Sequence, residues 1–224
     1  MNNILIVTPL QEEYDDLYQN LRALGFHSHT DSIGKLNVDH FPALKITLAR
    51  GGHGKTQFGI QTQHLLDHAP YDLVICAGAA GAIAPEVCVG DIIVATRTVE
   101  HDYNNKFSKR PKPQFAGDSK SIEQLQGLDL SGAGFHVHFG IMAGGDEDVI
   151  EIRRGIELRE LHSALAVAWE GVGGARAAAF SGVPYLEIRG ATDTADHEAP
   201  VVFYDNLKVV MKNIAYLLVR WLNE

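Results

Sequence analysis

Three acidic residues stand where the chain leaves a largely apolar segment. Glu13 follows the run "NILIVTPL", Glu170 closes "ALAVAWE", and Asp193 comes shortly after "YLEIRG". A charged residue in a loop after a strand is an ordinary place for a functional site, and ligands of α/β sheets collect at the carboxyl ends of strands. Taken singly, each acid is more often solvated or a turn cap, so the prediction of one shared pocket depends on all three.

Strands and helices alternate along the chain and would hold these acids in place. Apolar runs predict strands over residues 3–10, 44–49, 71–82, 90–100, 135–144, 164–170 and 184–190. Between and after them, we predict helices over 11–25, 55–68, 148–161, 173–182 and 201–222. Alternating elements with continuous apolar strands indicate an α/β fold with a covered central sheet. We find no repeat or linker and predict a single domain over residues 1–224.

Composition and charge narrow the functional classes. The 224 residues carry a formal net charge of -9, which argues against nucleic-acid binding, because such binders need a basic face. The one basic cluster, Lys106 to Lys112, is broken by proline and is interpreted as part of a loop over 101–120. No apolar stretch approaches the roughly 18 residues of a membrane span, so we expect a cytoplasmic protein without membrane contact. Cys76 and Cys88 are predicted to be buried free thiols.

Residues 49–56, "ARGGHGKT", imitate a phosphate-binding loop. Gly54, Lys55 and Thr56 lie between a predicted strand and a predicted helix, as such a loop requires. The first position is Ala49 instead of glycine, and no apolar strand ends convincingly in the acidic residue that would hold a metal ion. We therefore favour a glycine-rich turn, with a nucleotide hydrolase as the weaker alternative.

The eleven histidines show no metal-ligand spacing. His136 and His138 share one strand face, which leaves a metal site geometrically possible, but a packed or hydrogen-bonded face is the favoured interpretation. We therefore expect neither a metal ion nor a cofactor.

Five segments together cover nearly the whole chain: "ILIVTPLQEEYDDL", "RGGHGKTQFGIQTQHLL", "YDLVICAGAAGAIAPEVCVGDIIVAT", "AVAWEGVGGARAAAFSGVPYLEIRGATDTAD" and the closing helix. In these segments and their order, the chain resembles the nucleoside phosphorylase and nucleosidase superfamily, most of all its 5′-methylthioadenosine/S-adenosylhomocysteine nucleosidase branch. The resemblance implies a three-layer α/β/α fold around a mixed, partly barrel-like sheet. It also implies a purine nucleosidase, and a Gly-Lys turn that does not bind nucleotides.

The resemblance assigns a role to each acid. Glu13 matches the family's hydrolytic base, Glu170 its acceptor of sugar hydroxyls, and Asp193 its proton donor to purine N7. Arg189 matches an arginine near the attacking water. Breaking a ribosyl C–N bond leaves negative charge on the departing base, so Asp193 needs a pKa raised by burial or a hydrogen bond. Glu13 must be ionised to take a proton from water, which a nearby Arg189 favours.

Water is favoured over phosphate as the nucleophile. Phosphorylases of this superfamily hold phosphate with arginines and a hydroxyl. This chain has Cys76 and Ala79 at two of those places, and Gln11 and Glu12 at another. A phosphate dianion would meet acids there instead of guanidinium groups. A phosphate-dependent phosphorylase is the alternative.

Several departures from the family bear on the substrate. Gly78 and Ala79 would border it, but Ala79 replaces a serine that many nucleosidases use near the water, and Trp169 replaces the methionine under the ribose. In "GGDEDV", Glu147 or Asp148 stands where an aromatic residue usually stacks on the purine. Either the loop is shifted and Trp169 supplies the aromatic surface, or the base carries an amino or cationic group that an acid recognises.

The family's dimers complete the 5′ pocket with a loop from the partner. Residues 101–115 correspond to that loop, with Tyr103 and Phe107 as the apolar candidates. We therefore expect a homodimer that binds a small nucleoside. A non-catalytic nucleoside-binding protein on the same fold is a further alternative.

Overall fold

The computed structural model describes residues 3–108 and 110–223. The strands in this part are Ile4–Thr8 (β1), His29–Ile33 (β2), Leu36–Phe41 (β3), Ile46–Arg50 (β4), Leu73–Ala82 (β5), Ile92–Glu100 (β6), Gln114–Ala116 (β7), Val137–Gly144 (β8), Ala164–Ala168 (β9) and Tyr185–Asp193 (β10). The helices are Gln11–Ala23 (α1), Lys55–His68 (α2), Ser119–Gln126 (α3), Ile152–His162 (α4), Gly171–Ser181 (α5) and Ala199–Leu222 (α6).

Five of the strands close into a ring. The order β5, β9, β8, β6 and β10 returns to β5, because β10 pairs in parallel with β5 as well as antiparallel with β6. The sheet then continues outward from β5 through β1, β4, β3 and β2, with the last two strands antiparallel. The predicted mixed, partly barrel-like sheet is therefore confirmed.

Alternate residues of the central strands pack against helices on opposite faces, as the two-residue period of a strand requires. Ile4 and Ile6 of β1 belong to a core that includes helices α1 and α6. Leu5 and Val7 belong to a second core, formed with Phe58 of α2 and residues of α5. The sheet is thus covered on both sides, which is the three-layer α/β/α arrangement.

The hairpin of β2 and β3 was not predicted. Its first strand is exposed over four of five residues, so it lacks the apolar run by which the other strands were recognised. A two-residue connection, Gly34–Lys35, joins the strands, and Gly34 takes a positive φ of 58°. Such a connection is a sequence signal for a hairpin.

Other boundaries differ from the predictions. The loop predicted over 101–120 contains β7 and the start of α3, whose first turn is capped by Asp118 through a bond from the Ser121 N–H; residue 109 lies outside the described part. The helix predicted from residue 148 begins at Ile152, so the segment before it is a loop. The prediction that both thiols are buried is wrong for Cys88, which is exposed in the loop after β5, whereas Cys76 is buried.

No helix within residues 3–108 and 110–223 combines the length and apolar character needed to cross a lipid bilayer.

Candidate active site

A cavity of about 380 Å³ opens beside the C-terminal parts of β5, β9 and β10. Its size falls in the range of roughly 300–1,000 Å³ that is usual for small-molecule sites. Glu13, Glu170 and Asp193 all line it, together with Arg189. The structure therefore brings Glu13 to the same place as Glu170 and Asp193, which follow it by more than 150 residues in the sequence.

Glu13 lies in the first turn of α1 and is buried. One carboxylate oxygen accepts a hydrogen bond of 2.7 Å from the Leu10 N–H, and the other accepts one of 2.7 Å from the Ala79 N–H. Gly78 permits this approach, since a Cβ there would lie 2.4 Å from Oε1 of Glu13. Burial raises the pKa of Glu13 to about 7, against the opposing charge of Arg189.

Arg189 crosses the floor of the cavity as a buried cation. Its Nε donates to Oε1 of Glu187 at 2.9 Å, and one Nη2 proton points to Oε2 of Glu170 at 3.5 Å. Nη1 also donates to the Ala79 carbonyl at 3.2 Å. Despite burial, the surrounding acids hold the pKa of Arg189 above its usual range, so the guanidinium is a permanent charge that holds the neighbouring carboxylates in place.

Glu187 was missed by sequence reasoning. It is fully buried and accepts a 2.6 Å hydrogen bond from Thr98 of β6, which leaves its other oxygen for Arg189. The signal was present, because residues two apart on a strand share a face, and Glu187 and Arg189 are two apart in a buried strand, on either side of Ile188. A charged pair in such a position indicates a buried ion pair.

Glu170 stands at the junction between β9 and α5. The strand predicted to reach it ends at Ala168, and Glu170 is instead the N-cap residue of α5, whose carbonyl accepts from the Gly173 N–H at 2.8 Å. Its side chain turns into the cavity and accepts a 3.2 Å hydrogen bond from the Gly54 N–H. Glu170 therefore keeps acceptor capacity on the cavity side.

Trp169 and His53 form one wall of the cavity. Their rings stack with centroids 4.5 Å apart and planes 17° from parallel. His53 Nε2 lies 4.0 Å from a carboxylate oxygen of Glu170. His53 was not among the predicted site residues, although it belongs to the glycine-rich turn before α2.

Asp193 is the last residue of β10, whereas the strand was predicted to end at residue 190 and Asp193 to lie in the loop after it. Its oxygens accept hydrogen bonds from the Thr192 hydroxyl at 2.7 Å and from the Ala195 N–H at 2.9 Å. Gly81 packs closely against it, because a Cβ there would lie 2.8 Å from Oδ1. Burial raises the pKa of Asp193 in spite of these two hydrogen bonds.

The loop after β8 supplies the next part of the wall. Glu147 lines the cavity but is bound through both oxygens by Arg154, at 2.7 and 2.8 Å. Asp148 also lines the cavity and is exposed. The neighbouring Val149 is buried in the same apolar cluster as Ala195, which places this loop beside the turn that holds Asp193.

Residues 49–56, which resemble a phosphate-binding loop in sequence, have a different role in the structure. The ammonium group of Lys55 is bound by both oxygens of Asp102, at 2.6 and 2.7 Å, and by Glu100 at 3.1 Å. A lysine already paired with two carboxylates is not available to hold phosphates. The interpretation of this segment as a glycine-rich turn is consistent with this arrangement.

The Nε2–H of His138 in β8 donates to the carboxylate of Asp91, the residue before β6, at 2.9 Å. Within the part of the chain that the structure describes, no group of three or more His, Cys, Asp or Glu side chains is arranged to hold a metal ion.

Tyr103 and Phe107 lie outside this chain's own cavity. Phe107 is fully exposed and Tyr103 is 42% exposed. Large apolar side chains in such positions are available to a second molecule.

Comparison with known proteins places this cavity in a family. A profile described as the phosphorylase superfamily matches residues 3–223, and the chain belongs to that superfamily. Among individual relatives, the 5′-methylthioadenosine/S-adenosylhomocysteine nucleosidase of Tolumonas auensis is 30% identical over 187 residues, 80% of this chain and 81% of the relative.

Two solved structures agree in fold. The 5′-methylthioadenosine/S-adenosylhomocysteine nucleosidase from S. pneumoniae, solved with a transition-state inhibitor, superposes with a TM-score of 0.85 at 26% identity over 98% of both chains. Futalosine hydrolase of Helicobacter pylori superposes with a TM-score of 0.87 at 21% identity, over 99% of this chain and 97% of that chain. At that identity the second likeness shows the fold alone.

Proposed function

We propose that the protein is a purine nucleosidase, which hydrolyses the N-glycosidic bond of a 5′-modified adenosine of the methylthioadenosine or S-adenosylhomocysteine type. The observation that carries the proposal is one cavity lined by three carboxylates in different environments. Glu13 and Asp193 are buried with raised pKa values, whereas Glu170 faces the cavity beside a permanent cation. Such a division allows acid and base roles within one site.

Asp193 is the proposed general acid. Burial favours its protonated form, and a carboxylic acid that protonates N7 turns the purine into a better leaving group. The Thr192 hydroxyl and the Ala195 N–H fix its orientation. The Asp193 side chain is therefore held in one orientation at the cavity wall.

Glu13 is the proposed general base for the attacking water. A pKa of about 7 matches this task, because a base is most effective when its pKa lies near the working pH. The charge of Arg189 opposes the effect of burial and keeps the ionised form accessible. Both carboxylate oxygens already accept backbone hydrogen bonds, so the water would use a remaining lone pair of one of them.

Glu170 is the proposed acceptor of the ribose hydroxyls. Hydrogen bonds from those hydroxyls to a carboxylate can strengthen as positive charge develops on the sugar, which lowers the barrier more than it tightens the ground state. Trp169, stacked on His53, offers an apolar surface beside the sugar. Gly78 and Ala79 border the water side through their contacts with Glu13.

The charges around the cavity favour water over phosphate. Among the described lining residues, Arg189 is the one arginine, no lysine is present, and the guanidinium is already bonded to Glu187. A phosphate dianion would have to displace these bonds and would face the acidic side chains that line the cavity. Free base should therefore appear without phosphate.

The arrangement of the base loop bears on which purine is accepted. Since Arg154 neutralises Glu147, Asp148 is the acid left to face the cavity. An adenine-type base places an amino group where such an acceptor is useful, and a nucleosidase for a modified base is the alternative.

We also propose that the chain is one domain and forms a homodimer, in which the exposed Tyr103 and Phe107 reach the partner's cavity. Light scattering of the wild type and of Phe107→Ser tests the dimer; a monomeric wild type would refute it.

Asp193→Asn tests the acid role, with Asp196→Asn as its matched control. Asp196 is a half-buried acid three residues away that does not line the cavity. Loss of a positioned general acid should reduce kcat about 10²–10⁴-fold, measured as adenine released from 5′-methylthioadenosine, while the control keeps wild-type activity. Unchanged base release by Asp193→Asn would refute the assignment.

A further inference from the structure

We propose that Lys55 is a positioning residue that ties the loop after β6 and the loop after β8 to the turn that holds Glu170, and so sets the affinity for the nucleoside. This inference rests on the proposed function and adds a role for the conspicuous Gly-Lys turn. Lys55 does not line the cavity itself.

The backbone of Lys55 is held close to Glu170. Lys55 is the first residue of α2, and the preceding Gly54 N–H donates to Glu170. A Cβ on Gly173 of α5 would lie 2.2 Å from the Lys55 carbonyl, so the two helices meet backbone to backbone. The starting point of the side chain is therefore fixed relative to Glu170.

The side chain of Lys55 reaches two acids, one at the end of β6 and one just after it. Its ammonium group is held by Asp102 and Glu100, and Glu100 is also paired with Arg176. Among the described residues, Lys55 is the cation that donates hydrogen bonds to Asp102, and these bonds lower the pKa of Asp102 against the effect of burial. These contacts hold the start of the loop that carries Tyr103 and Phe107.

Lys55 also contacts the loop after β8, through Asp146. The Asp146 N–H donates to Asp102 at 2.9 Å, and an Asp146 oxygen accepts from the Lys55 N–H at 2.8 Å. Asp146 thereby satisfies one of the free N–H groups at the start of α2, where Gly54 has no side chain to do so. The next residues, Glu147 to Ile150, line the cavity.

Lys55 therefore acts on the two loops and not on Glu13 or Asp193, the proposed chemical groups. Glu13 is held by the N–H groups of Leu10 and Ala79, and Asp193 by its neighbours Thr192 and Ala195, all outside the two loops. Removing the lysine side chain therefore leaves the chemical groups in place. It leaves Asp102 without its cation and close to Asp146, so both loops loosen. An interaction that closes the cavity around substrate and transition state alike changes KM more than kcat.

The test is steady-state release of adenine by Lys55→Met, with Lys55→Arg as the conservative variant and Lys120→Met, at an exposed lysine of α3, as the control. We expect KM to rise about tenfold in Lys55→Met, the equivalent of one lost charge-assisted hydrogen bond, with kcat within about threefold. Lys55→Arg should recover most of the affinity. An unchanged KM, or a fall in kcat alone, would overturn the proposal.

A second variant covers the case in which Lys55→Met does not fold. Asp102→Ala should raise KM by a similar factor, and in a folded double variant the two effects should not add, because both residues act through one contact. Additive effects would overturn the proposal.

Hydrogen exchange separates this inference from the proposed function. Amides of residues 146–150 should exchange about tenfold faster in Lys55→Met or Asp102→Ala than in the wild type, whether or not any nucleoside is hydrolysed. Unchanged exchange refutes the role of Lys55, whereas a wild type that releases no base refutes the function alone.

Discussion

The ionisation of Glu13 leads to a prediction about stability that needs no substrate. Burial raises its pKa from the ordinary 4.5 to about 7, so the folded state binds the proton more tightly than the unfolded state. Folding is then favoured below pH 4.5, and this contribution is lost as the pH rises through about 7. The full loss is about 3 kcal/mol, at about 1.4 kcal/mol for each tenfold change in proton affinity.

Glu13→Gln removes the ionisation and keeps the shape of the side chain. We expect the free energy of unfolding of Glu13→Gln, relative to that of the wild type, to increase by about 3 kcal/mol between pH 4.5 and pH 8. Any lost hydrogen bond adds a constant that does not depend on pH. Urea unfolding of both proteins at several pH values measures the difference, and Glu12→Gln, at the exposed neighbour, controls for the loss of a surface charge.

The sign of the pH dependence is decisive. If Arg189 outweighed burial, the folded state would favour ionised Glu13, and the wild type would gain stability over Glu13→Gln as the pH rises. That result, or a difference that stays constant with pH, would refute the reasoning that burial dominates this carboxylate.

Three further predictions concern the same cavity. Because Glu13 must be ionised, kcat/KM should rise as the pH passes through about 7, and a flat pH–rate profile over that range would contradict its role as base. Glu187→Gln leaves Arg189 short of a buried counter-ion, so we expect a loss of about 3 kcal/mol and a fall in Tm of roughly 6–12 °C by calorimetry; an unchanged Tm would contradict the ion pair. Gly171→Ala would place a Cβ 2.1 Å from a Glu187 oxygen, and should cost about 1–3 kcal/mol by denaturant unfolding. Gly127→Ala, where φ is negative and a Cβ would lie 3.5 Å from its nearest neighbour, is the control.

The barrel-forming strands were predictable because they are buried and apolar. All of β5 except Gly81 is buried, and its run of apolar and small residues stands out in the sequence. The helix over 55–68 was predicted with the observed bounds, since Gly54 precedes it and apolar residues mark its buried face. The exposed hairpin of β2 and β3 offered no such contrast.

The place of each acid was predictable from strand ends, whereas its partners were not. The three acids Glu13, Glu170 and Asp193 follow apolar segments, so their convergence could be expected from the sequence alone. The pairing of Lys55 with Asp102 joins residues 47 apart in sequence through a side-chain contact, and no local pattern encodes it. The same holds for the bond between Thr98 and Glu187, 89 residues apart.

The base loop shows where sequence spacing fails. Glu147 and Asp148 were equivalent candidates in the sequence, but Arg154 binds Glu147 and leaves Asp148 at the cavity. Arg154 lies in the first turn of α4, which begins at Ile152, four residues later than predicted.

The central claim is that water, activated within this cavity, cleaves the glycosidic bond. The most direct measurement is chromatography of a panel of purine nucleosides, including 5′-methylthioadenosine, incubated with the protein with and without phosphate, with ³¹P spectra of the products. We predict equal release of adenine under both conditions and no sugar phosphate. Release that requires phosphate and yields a ribose 1-phosphate, or tight purine binding without any turnover, would contradict the account.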